Sequence, residues 1–481
     1  MRAPGDILLV STYELGHVPH GVAVPAGFLA RAGYHPAALD LSVEPWDAAR
    51  VARARLVVFS VPMHTALRLG IEAARRVRRE HPGARLAFHG LYAPLNADLL
   101  VSEGACAVLG GECEEDLVAL AGAVERGEDL RRFVLGAPGV RAQGQADEPA
   151  PERASGGLGG AILHPPVRRL DHPVPDRSGL PALSRYARFD AGDGTRRVAG
   201  YTEASRGCKH LCRHCPIPPV YGGKFVAVDA DVVVEDVARQ VSAGAEHLTF
   251  GDPDFLNGPT HALRVARAVH GRFPSLTFDF TAKIEHLVRE GAAVAELARL
   301  GAVFVTSAVE SLSDRVLAKL AKGHGRAEAL AAFDRCREAR LPLRPSLVPF
   351  TPWETLDGYL EMLEVFEARG WLPHLDPVQL TIRLLVPPGS LLESDPEIRF
   401  DGLDRAALGW RWRHPDPRMD ALQARVAAEV EAAAGRAEDP LATLARIRVL
   451  ALAAAGLPHE HVRVLAPDQR RVPRLTESWF C

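Results

Sequence analysis

Short apolar runs without polar alternation recur along the first part of the chain, at Ile7–Ser11, Leu56–Ser60, 86–89 and 107–109. Uninterrupted apolar runs of strand length mark strands covered on both faces, as in parallel sheets. Between them, residues 21–32, 66–80 and 114–124 repeat their apolar positions at helical spacing. The alternation predicts a doubly wound, flavodoxin-like α/β domain over residues 1–130, in which ligands sit at the carboxyl ends of the strands.

The rhythm stops after that domain. Residues 136–175 are rich in Gly, Pro and Ala with little apolar periodicity, which predicts a linker over 131–196, disordered in its middle at 143–160. Strand candidates then return at 198–204, 248–250, Thr277–Thr281, 303–309, 344–348 and 378–385, each followed by a helical stretch. Six such units predict a partial (β/α)6 TIM-type barrel over 197–390. Residues 391–481 form a predicted helical C-terminal region, with helices at 418–435 and 440–455 and a tail ending Trp479-Phe480-Cys481.

Composition narrows the function classes. With 47% apolar and 24% charged residues over 481 positions, the chain is a folded one, large enough for several cores. Its 57 basic and 60 acidic side chains leave a formal charge of -3, so no global field recruits nucleic acid or a membrane, and neither is an expected partner. Met1 to Asp6 lack the charged and apolar regions of a secretory signal, and no run approaches a membrane span. Seven cysteines then point to a cytoplasmic protein whose clustered thiols bind metal or react.

The sharpest motif is Ser205-Arg206-Gly207-Cys208-Lys209-His210-Leu211-Cys212-Arg213-His214-Cys215-Pro216, directly after the first barrel strand. Three thiolates on one loop can hold three irons of a [4Fe-4S] cluster and leave the fourth iron open. The open iron can chelate S-adenosylmethionine, and the cluster can supply the electron that cleaves it. Zinc, completed by His210, His214 or a remote residue, is the alternative for the same thiols. All five lysines fall between Lys209 and Lys322, arginine serving elsewhere.

From Asp176 to about Glu393 the chain resembles the radical S-adenosylmethionine superfamily, and its N-terminal domain resembles the cobalamin-binding domain of the cobalamin-type members. The resemblance implies that Cys208, Cys212 and Cys215 hold the cluster. It places Gly251, Asp252 and Asp254, after the second barrel strand, in the binding set near an amino group, with Lys283 near a carboxylate or phosphate. Glu310 and Ser311 then approach the cofactor's ribose or amino group, and Arg344 and Arg383 hold anionic groups or pair with neighbouring acids. In the N-terminal domain, Gly110-Gly111-Glu112-Cys113-Glu114 is similar to a Gly/Glu turn of cobalamin domains, and Ser60 to His64 ends another strand at the ligand edge. The Asp-x-His-x-x-Gly motif that supplies an axial histidine is missing, although His17 and His20 occupy roughly that loop. Cobalamin then binds without a protein histidine, or the domain keeps the fold without the ligand. Cys106, Cys113 and Cys336 read as packing residues.

The tail also resembles a group of radical enzymes whose last residues run Trp-Phe-Cys, then Cys or selenocysteine, then Ala-Glu-Pro. On that likeness the sequence stops where a selenocysteine codon was read as a terminator, and Cys481 is a catalytic soft ligand. The function expected is reductive cleavage of S-adenosylmethionine and radical chemistry on a small molecule, with a reductant such as flavodoxin or ferredoxin. The alternatives are a cobalamin-dependent radical methyltransferase and, in another class, a non-catalytic iron-sulfur sensor or zinc scaffold.

Overall fold

A computed structural model describes residues 1–135, 167–458 and 472–476. The first sheet contains β1 (Ile7–Ser11), β2 (Ala37–Asp40), β3 (Leu56–Ser60), β4 (Arg85–His89) and β5 (Ala105–Val108), all parallel, in the order β2-β1-β3-β4-β5. That order is the flavodoxin-like winding. All five side chains of β1 and of β3 are buried, because helices cover both faces and leave no side for polar residues. The amphipathic helix His64–Glu80 packs Leu67, Ile71, Ala74 and Val77 on one face, while helices His20–Arg31 and Glu114–Arg126 close the other. The strand absent from the predicted set is β2, four residues that follow Pro36 and are too short to carry a period.

Residues 143–160, the predicted disordered middle of the linker, lie outside the described residues. The described part beyond them runs back along the first domain. Asp176 donates its N–H to the Ala23 carbonyl, and Arg177 bridges Asp236, the Tyr201 carbonyl and His20. The second sheet then opens with β6 (Arg188–Asp190), antiparallel to β7 (Arg196–Thr202). A small antiparallel pair follows, β8 (Ser205–Gly207) with β9 (Phe225–Ala227). The parallel strands continue as β10 (His247–Phe250), β11 (Thr277–Thr281), β12 (Ala302–Glu310) and β13 (Leu343–Leu347), each hydrogen-bonded to the one before.

Five parallel strands, β7 and β10 to β13, thus curl into a half-barrel. The sixth predicted strand is reduced to one parallel bridge between Phe350 and Arg383, and Pro377–Leu380 forms a 3-10 turn instead. Prolines 377, 387 and 388 explain this, since each removes a donor that a ladder requires. A hairpin, β14 (Phe400–Asp404) and β15 (Gly409–Trp412), precedes helices Pro417–Gly435 and Pro440–Ala454, which start and end within a residue of the predicted helices. Those helices bury Met419, Leu422, Leu444 and Ile447 in the same core as the barrel helices. The last described residues form β16 (Arg474–Leu475), which adds to the outer edge of β6. No helix among the described residues is long and apolar enough to cross a membrane.

Alternation along the barrel strands sorts their residues by period two. Leu248, Phe278, Phe280 and Val305 pack outward in the main core. Thr249, Asp279, Thr281 and Thr306 face the inside of the half-barrel and line a cavity there.

Candidate active site

The loop after β8 begins with Gly207 in the left-handed region, φ 76°. A Cβ at Gly207 would lie 2.5 Å from the Tyr221 ring and 2.6 Å from the Lys224 carbonyl, so only glycine permits this turn. Cys208 and Cys212 are buried, Cys215 is half-buried, and all three are free thiols. The Cys215 N–H donates to the Cys212 carbonyl, and the Asn257 side-chain oxygen accepts from the Lys209 N–H at 3.2 Å while lying 3.8 Å from the Cys208 sulfur. Burial, reinforced by the Cys212 and Cys208 sulfurs, pushes the Cys215 thiol up to about 12. Closely spaced buried thiols gain from a metal that takes them as thiolates. The donor set therefore fits an iron-sulfur cluster with one iron left without a protein ligand.

Charged groups ring this loop. Glu310 closes β12 with φ 63°, and its Oε1 lies 3.3 Å from His214 Nε2 and accepts from Lys322 Nζ at 3.1 Å. Burial opposes its charge, yet Lys322 and His214 more than offset that and hold the carboxyl down at about 2. Burial likewise works against the Lys322 ammonium, but Glu310 and the sulfurs of Cys212 and Cys215 raise its pKa. Lys283 donates to the Lys322 carbonyl at 2.6 Å, so both buried lysines sit on this side of the loop. Ser311 donates to Glu354 at 2.8 Å and accepts from the Ser313 N–H; the cap of the next helix is Ser313.

The Gly251 to Asp254 stretch follows β10. A Cβ on Gly251 would fall 1.8 Å from the Tyr201 hydroxyl, which fixes glycine there. Asp252 accepts from Ala204 N–H at 2.9 Å and Ser205 Oγ at 2.6 Å, and thereby anchors the entry to the cysteine loop. Asp254 caps the turn Phe255–Asn257, and its Oδ2 lies 2.7 Å from His286 Nδ1 and 3.6 Å from His210 Nε2. Ligand atoms of Cys208, His210 and Asp254 all lie within 4.8 Å of one another, the set that a zinc reading of this loop would use. That set leaves out Cys212 and Cys215, which neighbour Lys322.

A cavity of about 370 Å³ lies between the carboxyl edge of the first sheet and the inside of the half-barrel. Gly21, Ser60, Pro62, Gly90, Gly111 and Cys113 line it from the first domain. Glu14, in the same wall, accepts from Ser60 Oγ at 3.2 Å and the Gly21 N–H at 3.3 Å, and burial pushes its carboxyl up to about 8. His17 and His20 both line the cavity, His17 with its ring 4.7 Å from that of Tyr201 and His20 with Nδ1 3.4 Å from Arg177 Nη2. From the barrel side, Gly207 borders the cavity one residue before Cys208.

One expected position falls elsewhere. Arg383 donates to Asp420 at 2.6 Å and to the Trp412 carbonyl at 2.6 Å, with its guanidinium 3.6 Å from the centre of the Trp412 ring. It ties the barrel to the C-terminal region, and it is not among the cavity-lining residues. Cys481 lies outside the described residues. Conversely, Lys322 reaches the acid beside the cysteine loop without having been given a role, and His214, named only as a zinc ligand, touches the same acid, while Asn257 touches the loop itself. The confinement of lysine to the barrel was the one sequence signal for Lys322.

Residues 202–364 match the model of the radical SAM superfamily. A curated relative, the tRNA-2-methylthio-N(6)-dimethylallyladenosine synthase of Thermus thermophilus, is 27% identical over 194 residues, which is 36% of this chain and 39% of that protein. The chain thus spans about two-fifths of the length of the curated relatives it matches. Two solved structures share the fold. The radical S-adenosylmethionine methyltransferase TsrM of Kitasatospora setae, with cobalamin and a [4Fe-4S] cluster bound, superposes with TM-score 0.58 at 17% identity, covering 76% of this chain and 70% of that one. The cobalamin-dependent S-adenosylmethionine radical enzyme OxsB, with aqua-cobalamin and S-adenosylmethionine bound, gives 0.66 at 14% identity, covering 89% and 67%.

Proposed function

We propose that this protein is a radical S-adenosylmethionine enzyme acting on a small molecule. The observation that carries the reading is the trio of free thiols at Cys208, Cys212 and Cys215, held on one loop at the mouth of a half-barrel within the residues that match the radical SAM superfamily. When bound there, a [4Fe-4S] cluster supplies the electron that cleaves S-adenosylmethionine reductively. The three cysteines hold it, and Asn257 and Asp252 fix the loop that carries them. Glu310, ionised and half-satisfied by Lys322 and His214, offers its carboxylate to the amino group or ribose of S-adenosylmethionine. Asp254 and Lys283 complete the charged ring as an acceptor for an ammonium and a donor to a carboxylate. A reductant such as flavodoxin or ferredoxin delivers the electron.

The cavity favours a second reading, a cobalamin-dependent radical methyltransferase. It joins the ligand edge of a flavodoxin-like sheet to the barrel mouth, the place where such sheets bind ligands. Ser60, at the end of β3, and Gly111, in the turn after β5, are among the residues that would hold cobalamin. Cys481 belongs to the same proposal as a redox-active soft ligand. Leu475 lines the cavity, and six further residues reach at most about 20 Å when extended.

Anaerobic reconstitution followed by iron and zinc analysis and electron paramagnetic resonance tests the reading. About four irons per chain, with a reduced-cluster signal that changes when S-adenosylmethionine is added, support it. Stoichiometric zinc with no iron, or a cluster signal indifferent to S-adenosylmethionine, supports the scaffold or sensor class instead.

A further inference from the structure

The barrel end of the cavity carries a polar patch that none of these roles uses. Asp279 on β11 is 4% exposed and lines the cavity beside Thr249, Thr281 and Thr306. Its Oδ1 accepts from Thr249 Oγ1 at 2.7 Å and lies 2.9 Å from His247 Nε2. Its Oδ2 accepts no hydrogen bond from any described residue, and the hydroxyls of Thr281 and Thr306 are equally without partners among the described residues. The aim of the carboxylate is fixed, because the His247 ring that holds it is stacked 4.0 Å from that of Phe189 and bonded on its other side to Thr277.

Among the described residues, no lysine or arginine pairs with Asp279. Burial lowers the pKa of His247, and it lowers that of His17, also near Asp279, to about 4, so both imidazoles are neutral near pH 7. A buried carboxylate oxygen that is turned into the cavity and accepts from no described residue is a ready acceptor for the N–H donors of an ammonium guest. Arg344, on β13, lines the same cavity with its guanidinium over the Phe304 ring. It pairs with Asp376, which Arg474 also contacts, so two guanidiniums share one carboxylate.

We propose that this end of the cavity is the substrate pocket, and that it selects a small molecule with a protonated amine bound at Asp279 and an anionic group turned toward Arg344. The assignment rests on the radical enzyme reading, in which substrate occupies the half-barrel beside the cluster loop. Thr281 and Thr306 supply hydroxyls for hydrogen bonds to the same guest.

Saturation-transfer NMR on the reconstituted protein tests it, with butylamine, butyrate and 4-aminobutyrate as probes. The amine and the amino acid should bind in the millimolar range and butyrate more weakly. Asp279→Asn retains an oxygen for His247 and Thr249 but presents an amide to the cavity, and should weaken both amines about tenfold or more. Thr281→Val, whose hydroxyl supports nothing in the fold, should weaken them less and guards against misfolding of the first variant. Butyrate bound better than butylamine, amines bound equally by Asp279→Asn, or no amine bound at millimolar concentration would each overturn the proposal. The cluster signal and its response to S-adenosylmethionine, recorded on the same wild-type sample, report separately on the enzyme reading.

Discussion

Arg206 Nη1 donates to Glu114 Oε1 at 2.6 Å, joining the strand that leads into the cysteine loop to the first turn of helix Glu114–Arg126 in the other domain. The same guanidinium lies 3.4 Å from Glu112 and 3.4 Å from Glu203, and His172 and Tyr221 also reach Glu112. One buried cation thus serves three carboxylates from two domains. Glu112 and Glu114 belong to the Gly-Gly-Glu turn that borders the cavity.

Arg206→Ala leaves those carboxylates without their cation, which costs about 3–5 kcal/mol for buried pairs. Chemical denaturation should show the loss. Arg206→Lys should recover little of it, because a single ammonium cannot match a planar fork shared among several acids.

Gly207→Ala forces a side chain into left-handed backbone and against Tyr221 and the Lys224 carbonyl. The backbone strain alone costs about 1–3 kcal/mol. Iron bound after reconstitution should fall well below wild type, while circular dichroism stays close to it.

Glu14 gives a pH signature. Its carboxyl moves from 4.5 to about 8 on folding, chiefly through burial. The folded state therefore binds a proton that the unfolded chain has released, and stability fully present below pH 4.5 is lost as pH rises through about 8. Glu14→Gln, neutral at every pH, should flatten the fall in melting temperature across that window relative to wild type.

The sequence pattern carried the first sheet because its buried parallel strands are nearly uninterrupted apolar runs. Spacing on one loop likewise exposed the cysteines. The pattern Thr277-Phe278-Asp279-Phe280-Thr281 alternates polar and aromatic residues, so the polar lining of the half-barrel was already visible in β11. What stayed hidden depends on contacts remote in sequence. Arg206 meets Glu114 across 92 positions, and Lys322 meets Glu310 only because residues 311–321 fold back. The 378–385 run looked like a strand because its apolar content outweighed its flanking prolines, and Arg383 then turned outward to Asp420.

Arg383 accordingly makes a stability prediction. Arg383→Ala removes a half-exposed ion pair and the stacking on Trp412, together worth about 1–2 kcal/mol. Denaturation should register that loss, while the affinity of the reconstituted protein for S-adenosylmethionine should stay at the wild-type value.

The central claim is tested most directly by product analysis after reconstitution, with S-adenosylmethionine and a strong reductant, with and without cobalamin, against Cys212→Ala. The account predicts 5′-deoxyadenosine from the wild-type protein and none from the variant, with S-adenosylhomocysteine appearing alongside it only if cobalamin supports methyl transfer. A wild-type protein with a spectroscopically confirmed cluster that forms neither nucleoside would contradict it.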